Sequence, residues 1–135
     1  MPRLTQPELE SLIDQHFPTW RTFPTITALG ERDISLRMPF RADFLRAGGT
    51  ISGPALMALA DTAAYFLTLA HAGPVPNAAT ANLDIHFLAR PDPKDLVAVA
   101  TMLRLGRRLA VSKVDILSGT EIVAHATVTY ALPSH

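Results

Sequence analysis

The stretch from Arg46 to Ala63 reads Arg46-Ala-Gly-Gly-Thr-Ile-Ser-Gly-Pro-Ala-Leu-Met-Ala-Leu-Ala-Asp61-Thr-Ala63, and it opens a long segment of small and apolar residues. Ser52 is a natural N-cap, and Pro54 suits the first turn of a helix. A helix that is apolar on nearly every face is normally buried. We therefore predict a buried central helix over residues 53–71.

The segments on either side of this helix predict a single α+β domain over residues 1–135. Apolar residues at helical spacing predict a short amphipathic helix within residues 1–18, and alternation around Gly30 predicts two short strands. Beyond Pro76, four alternating, β-branched runs separated by turn residues predict a four-stranded antiparallel meander over residues 77–132. One buried helix and an antiparallel sheet form a domain in which the sheet wraps around the helix.

Composition narrows the function classes. Twelve basic residues balance twelve acidic ones, so bulk charge predicts neither nucleic acid nor an anionic membrane as a partner. The central segment is apolar enough to suggest a membrane span, but Asp61 near its middle and the lack of flanking Lys or Arg argue against one. There is no cysteine, which excludes disulfides and thiol catalysis and fits a reducing, cytoplasmic location. We expect no metal, because metal-ligand spacing is lacking among the five histidines, His16, His71, His86, His125 and His135.

Asp61 is the residue that most needs an explanation. A carboxylate in the middle of an apolar helix costs several kcal/mol if it is buried without a partner. Asp61 could lie on a narrow polar stripe or accept local hydrogen bonds, which would make it structural. The alternative, which we favour, is a general base or nucleophile whose pKa burial adjusts.

The start of the same helix supplies a complementary group. Gly48, Gly49 and Gly53 permit close backbone approach, and the helix start presents free N–H groups that can hold a developing oxyanion. Ser52 could equally be no more than a good cap. Gly53 and Asp61 are separated by about 12 Å along the helix axis, too far to serve one carbonyl group. Two helices packed antiparallel about a twofold axis would bring Gly53 of one chain near Asp61 of the other.

Several motifs together resemble the PaaI-like acyl-CoA thioesterases, a hotdog-fold family. The stretch Gly49-Thr-Ile-Ser-Gly-Pro54 with the later Leu59-Ala-Asp-Thr-Ala63 is similar to the family's His-Gly-Gly and following acid. Further along, Asn82-Leu-Asp-Ile-His-Phe-Leu-Ala-Arg-Pro91, Gly106-Arg-Arg-Leu-Ala110 and Val123-Ala-His-Ala-Thr-Val-Thr-Tyr130 match the family's later strands. The resemblance runs from about Phe40 to Leu132. It implies a hotdog domain with an N-terminal helix and a long central helix.

The resemblance also assigns roles to particular residues. Asp61 takes the position of the catalytic carboxylate, and Gly53 that of the glycine whose N–H polarises the thioester carbonyl. Thr80 falls where relatives carry a Ser or Thr that helps to place water. Arg107 or Arg108 lies where basic residues meet the phosphates of coenzyme A, for which guanidinium groups are suited.

This chain departs from the family pattern at neighbouring positions. Ser52 replaces the motif histidine, Pro54 replaces the second glycine, and Arg46 stands where many relatives have asparagine. Ser52 could still donate to a carbonyl oxygen, and Arg46 could contact an acyl carboxylate or a phosphate. Gly49 shapes the same loop, and we count it with Arg46 as substrate-binding.

The implied function is hydrolysis of an acyl-CoA thioester at a composite site in a homodimer, which could pair into a dimer of dimers. Coenzyme A enters only as part of the substrate, and no cofactor is expected. Tyr65, one turn after Asp61, could line the acyl pocket or simply pack in the core. Two alternatives stay open: a non-catalytic acyl-CoA binding module, and an enoyl-CoA hydratase that pairs Asp61 with His125.

Overall fold

The computed structural model describes residues 2–133. Ten elements follow one another along the chain: helix α1 (Gln6–His16), a 3-10 turn (Trp20–Thr22), strands β1 (Thr25–Leu29) and β2 (Asp33–Met38), a 3-10 turn (Ala42–Phe44), helix α2 (Gly53–Ala72), and strands β3 (Ala79–Phe87), β4 (Leu96–Leu105), β5 (Leu109–Ser118) and β6 (Glu121–Ala131). The α+β prediction is confirmed. The two helices and the six strands that the sequence predicts are all present.

The two helices begin at side-chain caps that the sequence encodes. The Thr5 hydroxyl accepts from the Glu8 N–H at 3.3 Å, and the Glu8 carboxylate accepts from the Thr5 N–H at 2.9 Å, which is a complete capping box. The Ser52 hydroxyl accepts from the Ala55 N–H at 3.3 Å. Helix α2 ends at Gly73, whose φ of 94° favours glycine.

The six strands form one antiparallel sheet in the order β1-β2-β4-β5-β6-β3. The prediction of a four-stranded meander over residues 77–132 is therefore wrong: the meander contains β4, β5 and β6, while β3 pairs with β6 at the edge of the sheet. Alternation identifies strands but carries no information on pairing. The segment between β3 and β4 crosses three strand spacings, about 14 Å, which its eight residues easily span.

Helix α2 packs on the inner face of the sheet and forms most of the core, with Leu56, Leu59, Leu67 and Leu69 almost completely buried. It is long and apolar enough to cross a membrane, yet 61% of that window is buried within the domain, as in a core helix. The helix is not buried on every face, however, and this corrects the prediction. Its open stripe, defined by exposed or half-buried residues at helical spacing, consists of Pro54, Met57, Ala58, Asp61, Thr62 and Tyr65.

Candidate active site

Asp61 is half-buried on the open stripe of α2, and two hydroxyl groups hold one of its carboxylate oxygens. The Thr80 hydroxyl donates to Asp61 Oδ1 at 2.8 Å, and the Tyr130 hydroxyl donates to the same atom at 2.7 Å. The Tyr130 hydroxyl also lies 3.3 Å from the Asp61 carbonyl oxygen. Within residues 2–133, Oδ2 accepts no hydrogen bond. The carboxylate therefore has a fixed orientation and one oxygen free for a water molecule or a substrate.

A β-bulge places Thr80 on the face of the sheet that meets α2. Thr80 is opposite Tyr130, and the register shifts between Thr80 and Asn82, which leaves Ala81 as the extra residue. With strict alternation along β3, Ala81 would lie on the inner face, as Leu83 does. The extra residue of the bulge shifts the alternation by one, so that Thr80 lies on the inner face instead. The resemblance assigned Thr80 to the site, and the bulge is the local reason why it reaches Asp61.

Tyr130 is the site residue that the sequence interpretation missed. Its side chain is 4% exposed, and burial is the main reason why its pKa is raised above that of an ordinary phenol, with the hydrogen bond to Asp61 adding to the effect. The phenol therefore stays protonated and remains a donor. A signal was available: Tyr130 follows Ala124, Ala126 and Val128 on the inner face of β6, and a buried tyrosine hydroxyl usually needs a partner.

The start of α2 presents the second predicted group. The Gly53 N–H meets no backbone or side-chain acceptor in the described part of the chain, whereas the Ser52 hydroxyl is engaged as the cap. The Ser52 O–H can still donate while its oxygen accepts. Because α2 is continuous from Gly53 through Asp61, the predicted axial separation of about 12 Å holds, and one chain does not bring the two groups together.

A cavity of about 360 Å³ lies beside the start of α2. Arg46 and Arg90 line it, together with Gly53, Pro54 and Phe87. Gly49 shapes the adjoining turn, with a φ of 77° and an N–H that donates to the Arg46 carbonyl oxygen at 3.1 Å. Arg46 and Gly53 thus belong to one concave surface.

A second cavity, of about 350 Å³, begins at Thr62, next to Asp61. Tyr65 lines it, and the other aromatic residues there are Phe17, Trp20, Phe23 and Phe66. The Tyr65 hydroxyl donates to the Pro76 carbonyl oxygen at 2.5 Å, and its ring centre is 5.5 Å from that of Tyr130. Burial raises the pKa of Tyr65. Tyr65 both packs against the site and faces a cavity.

Arg107 and Arg108 lie in the turn between β4 and β5, far from the start of α2. Arg107 lines a further cavity of about 350 Å³ with Ala72, the last residue of the helix. Because α2 has 20 residues, Gly53 and Ala72 are separated by roughly 28 Å. Within one chain these arginines do not share a pocket with Arg46 or Gly53.

The proposed pairing of Asp61 with His125 is wrong within this chain. His125 lies on the outer face of β6, where its Nδ1 is 2.6 Å from the carboxylate of Asp115, while Asp61 meets the inner face. His71 is buried at the end of α2, with its ring nitrogens 3.1 and 2.9 Å from the carbonyl oxygens of Leu67 and Glu31. No cluster of three potential metal ligands exists among residues 2–133. His135 lies outside the described residues.

A long central helix packed on one antiparallel sheet, with a further helix at the N-terminal end, is the architecture of a hotdog domain. Residues 48–125, more than half of the chain, match the sequence profile of the thioesterase superfamily. The chain belongs to the thioesterase superfamily, and its PaaI-like assignment is confirmed. Membership assigns it the general activity of a thioester hydrolase.

Individual relatives agree with this assignment. A solved structure from Silicibacter sp., provisionally assigned as a thioesterase, is 35% identical, superposes with a TM-score of 0.90, and is matched over 99% of this chain and 95% of its own. The phenylacetic acid degradation protein PaaI of Thermus thermophilus, solved as an N33D mutant, is 25% identical with a TM-score of 0.75, over 85% of this chain and 97% of its own. A provisionally assigned esterase of Thermoplasma acidophilum is 27% identical over 94 residues, 70% of each chain.

Proposed function

We propose that the protein hydrolyses an acyl-CoA thioester to a free acid and coenzyme A, at a site formed by two chains. The observation that carries this proposal is the carboxylate of Asp61, fixed through Oδ1 by two hydroxyl donors and free at Oδ2. The two donors come from the paired strands β3 and β6, outside the helix that carries Asp61. Orientation of a group that moves a proton contributes directly to rate.

In the proposed reaction, Oδ2 of Asp61 accepts a proton from water while the water oxygen bonds to the thioester carbon. The resulting oxyanion is stabilised by the Gly53 N–H of the second chain, with Ser52 as a further donor. The carbon–sulfur bond then breaks, and the protonated carboxyl returns its proton to the thiolate. Direct attack by Asp61 would instead form an anhydride that water opens, with the same products.

Two surfaces support assembly into a homodimer. The open stripe of α2 exposes Met57 (41% exposed) and Pro54 beside Asp61, and these apolar side chains are suited to packing against a second helix. Strand β3 is an edge strand with one side unpaired in the described chain. Antiparallel packing of two α2 helices centred near Met57 would bring Asp61 opposite Gly53 of the second chain.

The same arrangement gives Arg107 and Arg108 a place at the coenzyme A phosphates. Ala72, which shares a cavity with Arg107, lies about 16 Å along the axis from Asp61. Thirteen bonds separate the sulfur of coenzyme A from its nearest phosphorus, and an extended chain of that length covers about 15 Å. The distance from Asp61 to Ala72 thus matches the length of the extended chain between the sulfur of coenzyme A and its nearest phosphorus. If that chain lay along α2, its phosphate end would be near Arg107 and Arg108.

The decisive experiment measures thiol release from a panel of acyl-CoAs. We expect the wild type to turn over at least one of them and Asp61→Asn to be at least about a hundredfold slower, the lower range for general acid–base catalysis. Asp115→Asn is the matched control, because it removes a carboxylate on the outer face of the sheet and should leave turnover unchanged. Binding without turnover in the wild type would favour the non-catalytic module, and an Asp61→Asn variant at the native rate would refute this site.

A further inference from the structure

The cavity beside the start of α2 is lined by two positively charged side chains. Arg46 and Arg90 both line it, and no Asp or Glu does. Neither guanidinium forms an ion pair or a side-chain hydrogen bond with any residue in the 2–133 range, whereas Arg21, Arg37 and Arg41 are all paired with carboxylates. Two unpaired guanidinium groups on one concave surface favour an anionic ligand.

The chemistry of the cavity restricts that ligand to a group with oxygen acceptors. A guanidinium offers a planar fork of N–H donors that fits a carboxylate or a phosphate. Arg46 comes from the loop before α2 and Arg90 from the segment after β3, so the two donors approach from different elements. Gly53 lines the same cavity, which places the anion beside the N–H that is proposed to hold the thioester carbonyl.

Distance separates the two possible sources of the anion. A sphere of the cavity's volume is about 9 Å across, so any anion inside it lies within that distance of Gly53. In the placement of coenzyme A proposed above, the chain from its sulfur to its nearest phosphorus is extended along α2 toward Arg107, which puts that phosphorus about 15 Å from the sulfur and outside the cavity. A carboxylate at the far end of a six-carbon acyl group is only about 6 Å from the thioester carbon.

We infer that the cavity formed by Arg46 and Arg90 binds the free carboxylate of the acyl group, and that the substrates are monothioesters of short dicarboxylic acids. This inference rests on the proposed thioester hydrolysis and specifies its substrate class. Water adds to the thioester carbon, the carbon–sulfur bond breaks, and the products are a dicarboxylate and coenzyme A. Arg46 and Arg90 are specificity residues that bind the distal carboxylate throughout.

The test compares adipoyl-CoA with hexanoyl-CoA, which have the same chain length and differ by the terminal carboxylate. We expect kcat/KM of the wild type to be about tenfold or more higher for adipoyl-CoA, the scale of one charge-assisted hydrogen bond that is shielded from water. Arg46→Ala and Arg90→Ala should each lower kcat/KM by a larger factor for adipoyl-CoA than for hexanoyl-CoA, so that most of the preference is lost. Arg104→Ala removes an exposed arginine on β4 and is the matched control.

Other outcomes overturn the inference in distinguishable ways. If both arginine variants lose the same factor on both substrates, the cavity binds a coenzyme A phosphate. If the wild type prefers hexanoyl-CoA, the acyl group occupies the aromatic cavity at Tyr65. If neither substrate nor any other acyl-CoA is hydrolysed, the proposed function fails. Calorimetric titration of adipate into the wild type and into Arg46→Ala then tests separately whether the cavity binds a carboxylate. Binding that is lost in the variant supports it, and no binding to the wild type refutes it.

Discussion

Replacing Tyr130 by phenylalanine tests the central claim about how Asp61 is oriented. The substitution removes the 2.7 Å hydrogen bond to Asp61 Oδ1 and leaves the ring, including its contact with Tyr65 at 5.5 Å, in place. A hydrogen bond to a charged group contributes about 1.5–3 kcal/mol, and this one is shielded from water because Tyr130 is 4% exposed. We therefore expect turnover to fall roughly ten- to hundredfold with KM nearly unchanged.

Thr80→Val provides the comparison within the same site. Thr80 donates to the same oxygen at 2.8 Å but is exposed, so water can replace its hydroxyl. Its loss should cost only about two- to fivefold in turnover, corresponding to about 0.5–1 kcal/mol. Steady-state kinetics on one acyl-CoA, with circular dichroism as a check on folding, measure both variants.

A double-mutant cycle with Asp61→Asn separates orientation of Asp61 from a general packing effect. If Tyr130 acts through the carboxylate, Tyr130→Phe should have little further effect on turnover in the Asp61→Asn background. An equal loss in both backgrounds would refute the reasoning and make Tyr130 a structural residue of β6.

Three further predictions address assembly, pH and the departure from the family motif. Met57→Glu should convert the proposed dimer to an inactive monomer, because it places a charge on the open stripe. Light scattering measures the loss of the dimer, and thiol release measures the loss of activity. A wild-type protein that is monomeric and fully active would refute the assembly. Burial raises the pKa of Tyr65 and Tyr130, so the phenols of the unfolded chain lose their protons at a lower pH than those of the folded chain. The free energy of unfolding should therefore fall as pH rises above about 10. Urea unfolding below and above that pH measures this fall, which should be smaller in Tyr130→Phe than in the wild type. Ser52→His should lower turnover on the native substrate if the loop is specialised around Ser52, and a gain on ordinary acyl-CoAs would instead indicate that the histidine was simply lost.

Much of the fold could be predicted because its signals are local. The cap at Ser52 and the alternation of the later strands give correct boundaries, since they depend on neighbours in sequence. The edge position of β3 could not be predicted, because pairing with β6 depends on contacts between distant segments. The same limit applies to the site: Asp61 is identified by its cost in an apolar helix, and alternation along β6 indicates that Tyr130 is buried. The pairing of Tyr130 with Asp61 could not be predicted, because it depends on how β6 packs against α2.

The contacts of Asp61 also affect how activity emerges during folding. Its two donors are 19 and 69 residues away in sequence, and Tyr130 belongs to the last strand. The contact with Tyr130 closes a loop of 69 residues, which costs more conformational entropy than a local contact, so we expect it to form late. An intermediate with α2 and the first strands in place would still lack the oriented carboxylate. Recovery of thioester hydrolysis should therefore lag behind recovery of secondary structure during refolding, so that enzyme activity reports the docking of β6 rather than the collapse of the core.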